Sequence, residues 1–459
     1  MNTIHHRKSE SGQAIVLLVF GMIVLMGMAG LAIDGGNLYA QKRRGQAAVD
    51  NAALAYALEL SQGTGSSFGQ TRATTVLSSN GYVNGEDSVT ITMINPVPGY
   101  TNPDSYVEVI LTQTVPTALI HLVYGGPATY SARATAHGTA PQPLMSGYAL
   151  AALKPGCDGS STISVQGRGG GSSGGTTITG AGAFVNASCS DALDTSGSGE
   201  QFWITGGSYP INVVGGVNGS NCPSSPQPPT TSCNFNPAPT TGVTSVPQDP
   251  IQNTPAATPP TCGPSRTLST ELNDADGAIV RPGTYTSFQP ATNDPTVIMS
   301  SGVYCVSGTI SQGQNGVTGT TGVLIYLTTS GAKLDFSGQG DATLSAPTDS
   351  DCAAARLTTG DTSDDWKCTY TDIVIYKITG SNSCEQSDVV IDLTGGTSLN
   401  VTGLIYAPYS LARYGGSGSF TMTGQSLVAC VKFNGNGSIN ITYDPDKTYV
   451  PPPSLQLTK

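Results

Sequence analysis

The chain has 459 residues, a formal net charge of −11 and a pI near 4.7, an acidic balance that excludes nucleic acid as the main partner. Only 11% of its residues are charged, against roughly 25% in an average soluble protein. With 58 glycines and 30 prolines, this composition favours many short strands joined by turns over long helices, in a chain long enough for two or three domains.

Residues 14–33, AIVLLVFGMIVLMGMAGLAI, are uncharged, and at about 1.5 Å per helical residue they cover a hydrocarbon core of roughly 30 Å. Eleven of them are Leu, Ile, Val or Phe. At roughly −0.3 to −0.6 kcal/mol each, they favour insertion by about 3–7 kcal/mol. A secretory signal would be shorter and would give way to ordinary mature sequence after a small-x-small site. Here Val49, Ala53, Tyr56 and Leu60 continue at helical spacing, with Gln46, Asp50 and Glu59 on the polar side. The expectation is a retained transmembrane helix over 14–33 and an amphipathic stalk helix over 34–61, with Gly35 and Gly36 as a bend.

Basic residues flank the span on both sides, Arg7 and Lys8 before it and Lys42, Arg43 and Arg44 after it, so the positive-inside rule does not orient it. The cysteines do. All ten lie from Cys157 to Cys430, with no C-x-x-C pair and only four histidines in the chain, which argues for disulfides rather than zinc. Disulfides need an oxidising compartment, which puts residues 1–13 in the cytoplasm and everything after residue 34 outside it. Loop proximity suggests Cys352 with Cys368 and Cys262 with Cys305.

The order Gly12-Gln13-Ala14, one apolar span, Gly30-Leu31-Ala32-Ile33-Asp34, Gly36, Leu38-Tyr39, then Gln46, Ala48, Asp50 and Ala52-Ala53-Leu54-Ala55 resembles the N-terminal helix of Flp (tight-adherence) pilus-assembly proteins of the TadE/TadG-like kind. The resemblance implies a bacterial inner-membrane anchor with its bulk outside, partnered by the lipid bilayer and by pilus-assembly or envelope proteins. One departure stands out. A prepilin-peptidase site requires Glu at the fifth place after its glycine, and after Gly12 that place is Leu17, so no processing is expected there.

Residues 62–140 read as a small α/β unit. Ala73, Val76 and Leu77 continue a helical pattern to a cap at Asn80-Gly81. SVTITMI and SYVEVILTQT then alternate with period two, TALIHLVYG reads as a short apolar helix carrying a packing histidine, His121, and ATYSARATAH resumes alternation.

From residue 141 to 459 the character changes to short apolar segments such as TTITGAGAFV, GVLIYLTT, LNVTGLIYAP, FTMTGQSLVA and SINITYD, separated by Gly or Ser turns. Spacing alone leaves a sandwich and a solenoid both open. SGVYCVSG, GVLIYL, LSAP and VTGLIYAPYS, with GQSLVACVKFNGNGSINITYD after them, look like the β-helix domain attached to pilus-assembly-type envelope proteins, and the solenoid is expected on that resemblance. Residues 219–265 hold twelve prolines and read as an extended excursion tied down by Cys222, Cys233 and Cys262.

Chemistry-bearing candidates are few. Asp194, Ser196 and Ser198 spell the D-x-S-x-S pattern of a cation-binding adhesion site, without the strand-loop-helix context that such a site needs. NDADG at 273–277 lacks the first and twelfth ligands of a calcium loop. Asp349, Asp351, Asp361, Asp364 and Asp365 form an acidic stretch pinned by Cys352 and Cys368, read as a solvated loop, with calcium binding or a glycan-cleaving cleft as the sharper alternative.

The expected architecture is therefore mainly β: transmembrane helix and amphipathic stalk, small α/β unit, then a C-terminal β-helix. The expected function is that of a non-enzymatic, cofactor-free envelope protein in pilus assembly, anchoring or surface adhesion. The alternatives are a surface glycan-acting enzyme and a standalone adhesin on a pilus-type anchor.

Overall fold

The computed structural model describes residues 11–117, 128–157, 161–166, 175–195, 201–222, 233–272, 278–291, 293–357, 365–384, 388–435 and 437–458. The chain is mainly β, preceded by one long apolar helix, and divides into two compact units. The first comprises Met1–Pro141 with Pro452–Lys459, and the second Gln142–Pro451.

In the first unit, α1 (Ser11–Ser61) runs unbroken through Gly35 and Gly36. Its apolar part has a mean hydropathy of 2.7 and is only 6% buried, so that part is apolar all round and presents that surface outward. The second half buries Ala48, Val49, Ala52, Ala53, Tyr56 and Ala57. They pack on α2 (Ser66–Ser79) and on an antiparallel sheet of β1 (Val89–Ile94), β2 (Tyr106–Val115) and β3 (Ala128–Thr139). Gly69 lets α2 approach α1, because a Cβ there would stand 2.1 Å from Cδ2 of Tyr56. The sheet has a fourth strand that local sequence does not announce: Ser454–Thr458, from the end of the chain, pairs antiparallel with β3.

The second unit is built from parallel strands, each usually paired with the one three places further along the chain. Three ladders result. One joins Val317–Gly319, Ala342–Ser345, the start of Ser398–Tyr414, the start of Ser419–Asn434, Ser438–Thr442, Thr176–Thr179 and Phe202–Thr205. Its last steps are unusual in order. The C-terminal strand Ser438–Thr442 lies against Thr176–Thr179 near the beginning of the unit, so the ladder runs from residue 317 to 442 and continues at 176.

Alternation explains the burial. In these strands Leu344, Val401, Met422, Ile441 and Ile178 point inward and are at most 2% exposed, while their neighbours in sequence face out. Each such side chain contributes roughly 1.5–3 kcal/mol when fully buried.

The second ladder turns Cys305, Tyr326, Tyr376, Tyr406, Leu427, Ala151 and Phe184 outward, yet all are buried. The Pro-rich excursion lies over them. Asn186 holds the backbone of Val246 with two amide hydrogen bonds of 2.9 Å. Tyr406 donates to Asp249, Tyr376 to the Ala256 carbonyl at 2.7 Å, and Tyr370 to the Thr258 carbonyl. A proline-rich segment has few donors of its own, so its buried carbonyls are satisfied by side chains from below.

The third ladder is charged: Asp335, Asp392, Arg413 and Lys432 stand in register. Arg413 meets Asp392 at 3.2 Å and Lys333 meets Asp335 at 2.8 Å. Burial alone would depress Lys333, but Asp335 and Asp392 outweigh it and hold its pKa above the ordinary lysine value.

All ten cysteines are paired: Cys157–Cys189, Cys222–Cys233, Cys262–Cys305, Cys352–Cys368 and Cys384–Cys430. The two pairs suggested by loop proximity both form. Cys262–Cys305 ties the excursion to the second ladder, whereas Cys222–Cys233 closes a loop within the excursion itself.

Candidate functional site

The polar residues of the helix pattern have definite work in the first unit. Gln46 donates to Asp50 one turn on, at 2.7 Å, and to the Arg133 carbonyl at 2.8 Å, while its own oxygen accepts from Arg133 N. It thereby joins α1 to β3. Arg133 in turn donates to Glu108 at 3.0 Å, linking β3 to β2. The alanines at 48, 52 and 53 present flat helix surface to the sheet, and Gly45 admits the ring of Tyr130, whose atoms would stand 2.8 Å from a Cβ. Asp34, at the end of the apolar part, is 7% exposed and partnered.

Residues 12–59 match the Flp pilus-assembly TadE/G-like family model. The TadE/G-like segment thus coincides with α1 and includes the apolar part, Asp34, Gln46, Asp50 and the alanines. No curated protein and no solved structure matches the chain.

In the second unit, Asp194 lies in the two-residue strand Leu193–Asp194 on the charged ladder, beside Ser164 and Asn218, and accepts from Asn218 Nδ2 at 3.0 Å. Ser196 and Ser198 lie outside the described residues, as do Asp361, Asp364, His121 and residues 273–277. Asp365 opens the short helix Asp365–Thr369.

The acidic stretch differs from expectation: residues 349–357 are a helix, not a loop. Thr348 and Asp351 cap it reciprocally. Asp351 Oδ2 accepts from the Thr348 N–H and hydroxyl at 2.7 Å each, and Thr348 Oγ1 accepts from Asp351 N. The alanines that follow are strong helix formers.

Beside this cap is a polar cavity of about 260 Å³, lined by Thr320, Ser345, Asp351, Asp372, Thr402 and Lys447 among others. Asp372 is its distinctive member, 6% exposed and left-handed at φ 61°, a conformation that Asp tolerates better than most residues. Its backbone is held by Pro347 and Leu404. Burial, then Asp349 and more weakly Asp444 and Asp446, push its pKa up to about 7 against the pull of Lys447. The niche is equipped to take up a proton or a polar group. Nothing in the local sequence TYTDIVIY marks Asp372, because its environment is assembled from distant segments.

A buried ion pair lies elsewhere in the unit. Lys377 Nζ is 3.2 Å from Asp388 Oδ1, with both side chains at most 1% exposed, and it also donates to the carbonyls of Ser330 and Val389. Burial pulls the Lys377 pKa below its ordinary value despite Asp388. Among the described residues, Cys157, Cys189 and Asp191 come close enough together to suggest a metal site, but the two sulfurs are bonded to each other and do not ligate.

Proposed function

We propose that the protein is a single-pass, membrane-anchored envelope component of a Flp/Tad-type pilus system. Its disulfide-braced second unit stands outside the cytoplasm and acts in pilus assembly, anchoring or surface adhesion without catalysis. The observation that carries the reading is the TadE/G-like match on a helix whose apolar half is exposed. Five disulfides support the extracytoplasmic placement. In this reading the three parallel ladders wind as a β-helix, with the Pro-rich excursion as a strap along one face.

A deletion strain scored for surface pili by electron microscopy and for attachment tests it. Loss of pili, restored by the full-length gene, places the protein in assembly or anchoring. Intact pili with poor attachment make it an adhesin, and wild-type pili with wild-type attachment contradict the proposal.

One observation favours a second reading, a glycan-cleaving enzyme. Asp372 holds its proton near neutrality in a cavity that Asp351 also lines, and two carboxyl groups are the usual equipment for glycoside hydrolysis. Release of reducing ends from a glycan by wild type but not by Asp372→Asn would favour it.

A further inference from the structure

The three ladders of the second unit differ in what they turn outward. One is covered by the strap and one is charged, whereas the third carries uncharged polar groups on strand after strand. Three successive strands repeat one pattern, SLNVT at 398–402, SFTMT at 419–423 and SINIT at 438–442. Their register is exact enough to align Ser398 with Ser419 and Ser438, Asn400 with Thr421 and Asn440, and Thr402 with Thr423 and Thr442. The ranks extend on both sides. Thr343 precedes Asn400, and Thr177 and then Trp203 follow Asn440.

We propose that the face formed by Thr343, Asn400, Thr421, Asn440, Thr177 and Trp203 binds a neutral glycan chain. The proposal deepens the adhesion reading and rests on the second unit being outside the cytoplasm.

Four properties carry it. These side chains are exposed or half-buried while the residues alternating with them are buried, so the hydroxyls and amides face solvent. Among the described residues, Thr343, Asn400, Thr421, Thr423, Asn440 and Thr442 spend no side-chain hydrogen bond on the protein, whereas Thr179 and Thr205 in the neighbouring rank bond each other at 2.9 Å.

The spacing is regular: about 4.8 Å between strands and about 6.7 Å between alternate residues. Hydroxyl and amide groups both donate and accept, which matches a polymer that carries hydroxyls on every unit. Finally, the ranks run into an aromatic end. Half-buried Trp203 and Tyr209, with Asn236 and Thr240, line a groove of about 1050 Å³. An indole face combines apolar surface with a polar edge and suits the C–H face of a sugar ring.

Charge selects among polymers. The rank from Thr343 to Trp203 contains no ionisable group, and the exposed Asp341 that accepts from Ser398 N at 3.0 Å beside it is acidic, so the face offers no cation to an acidic chain, and the net charge of −11 repels polyanions.

The test uses the purified full-length protein in detergent against β-glucan, mannan and the anionic polygalacturonate. The variants are T421E/N440E on the ranks, W203A at the aromatic end and K432Q on the charged ladder as control. Wild type is expected to bind at least one neutral glycan with little salt dependence. T421E/N440E, which forces an uncompensated carboxylate against the ligand, is expected to weaken binding by about tenfold or more with an unchanged melting temperature, and K432Q to leave it within about twofold.

No binding to either neutral glycan, preference for polygalacturonate, or undiminished binding by T421E/N440E overturns the proposal. So does sedimentation that finds wild type self-associated and T421E/N440E monomeric, which would make the face a contact between copies. The pilus deletion phenotype is scored separately, so loss of one reading leaves the other intact.

Discussion

Tyr406 donates its hydroxyl to the carboxylate of Asp249, 157 residues earlier in the chain, and its oxygen accepts from Ile251 N. One side chain thus fixes the middle of a segment whose composition has no means of building a core. Tyr406→Phe should leave Asp249 and the Ile251 N–H without this partner and cost about 1–3 kcal/mol. Limited proteolysis should then cut near residue 250 faster than in wild type, and an unchanged cleavage rate would mean that the strap is held without this bond.

The disulfide at the end of the strap should matter more. Cys262 and Cys305 are 43 residues apart in sequence, and loss of a cross-link over a loop of that size costs about 2–4 kcal/mol. The double replacement with Ser should lower the melting temperature of the oxidised protein and have no effect once both proteins are reduced.

Gly69 of α2 packs against the ring of Tyr56 on α1. Gly69→Leu would drive its Cβ into the Tyr56 ring and is expected to destabilise the unit by about 1–3 kcal/mol. Gly63→Ala is a poor control because its φ of 74° is itself costly, so Gly35→Ala, which meets nothing within 4 Å, serves instead.

Asp372 gives a pH signature. Its folded pKa, near 7, exceeds the ordinary carboxylate value of roughly 3.9, so between these limits the folded chain holds a proton that the unfolded chain has released. Stability is therefore full below about pH 4 and falls as pH rises through about 7. Asn keeps the left-handed backbone and stays neutral. Asp372→Asn should melt like wild type at pH 4 and higher at pH 8, by up to about 4 kcal/mol. Equal melting at pH 8 would show that Asp372 is already solvated or paired.

The elements that sequence reveals are those whose signal is local. The apolar run at 14–33, the alternation of Val107, Val109 and Leu111, and the strands around Val323–Leu327 and Ser438–Thr442 each depend on neighbours a few residues away. Partners over long distances leave no such trace. Nothing near Ser454–Thr458 says that it completes a sheet with β3, and nothing near Ile441 says that Ile178 lies beside it. The helix at 349–357 was hidden by its charge: five acids between 349 and 365 suggest a loop, while the cap made by Thr348 and Asp351 and the alanines after it favour a helix. The repeated SLNVT, SFTMT and SINIT segments are visible as strands, but only the register turns them into aligned ranks.

Alkaline carbonate extraction of cell membranes, combined with a mass-tagged maleimide, tests the membrane anchor and the extracytoplasmic placement together. The full-length chain is expected in the carbonate-resistant pellet, unlabelled by maleimide until reduced and then taking ten labels, because all its cysteines are paired in five disulfides. A chain released by carbonate, or one that takes the labels without reduction, would contradict the membrane anchor or the extracytoplasmic placement respectively.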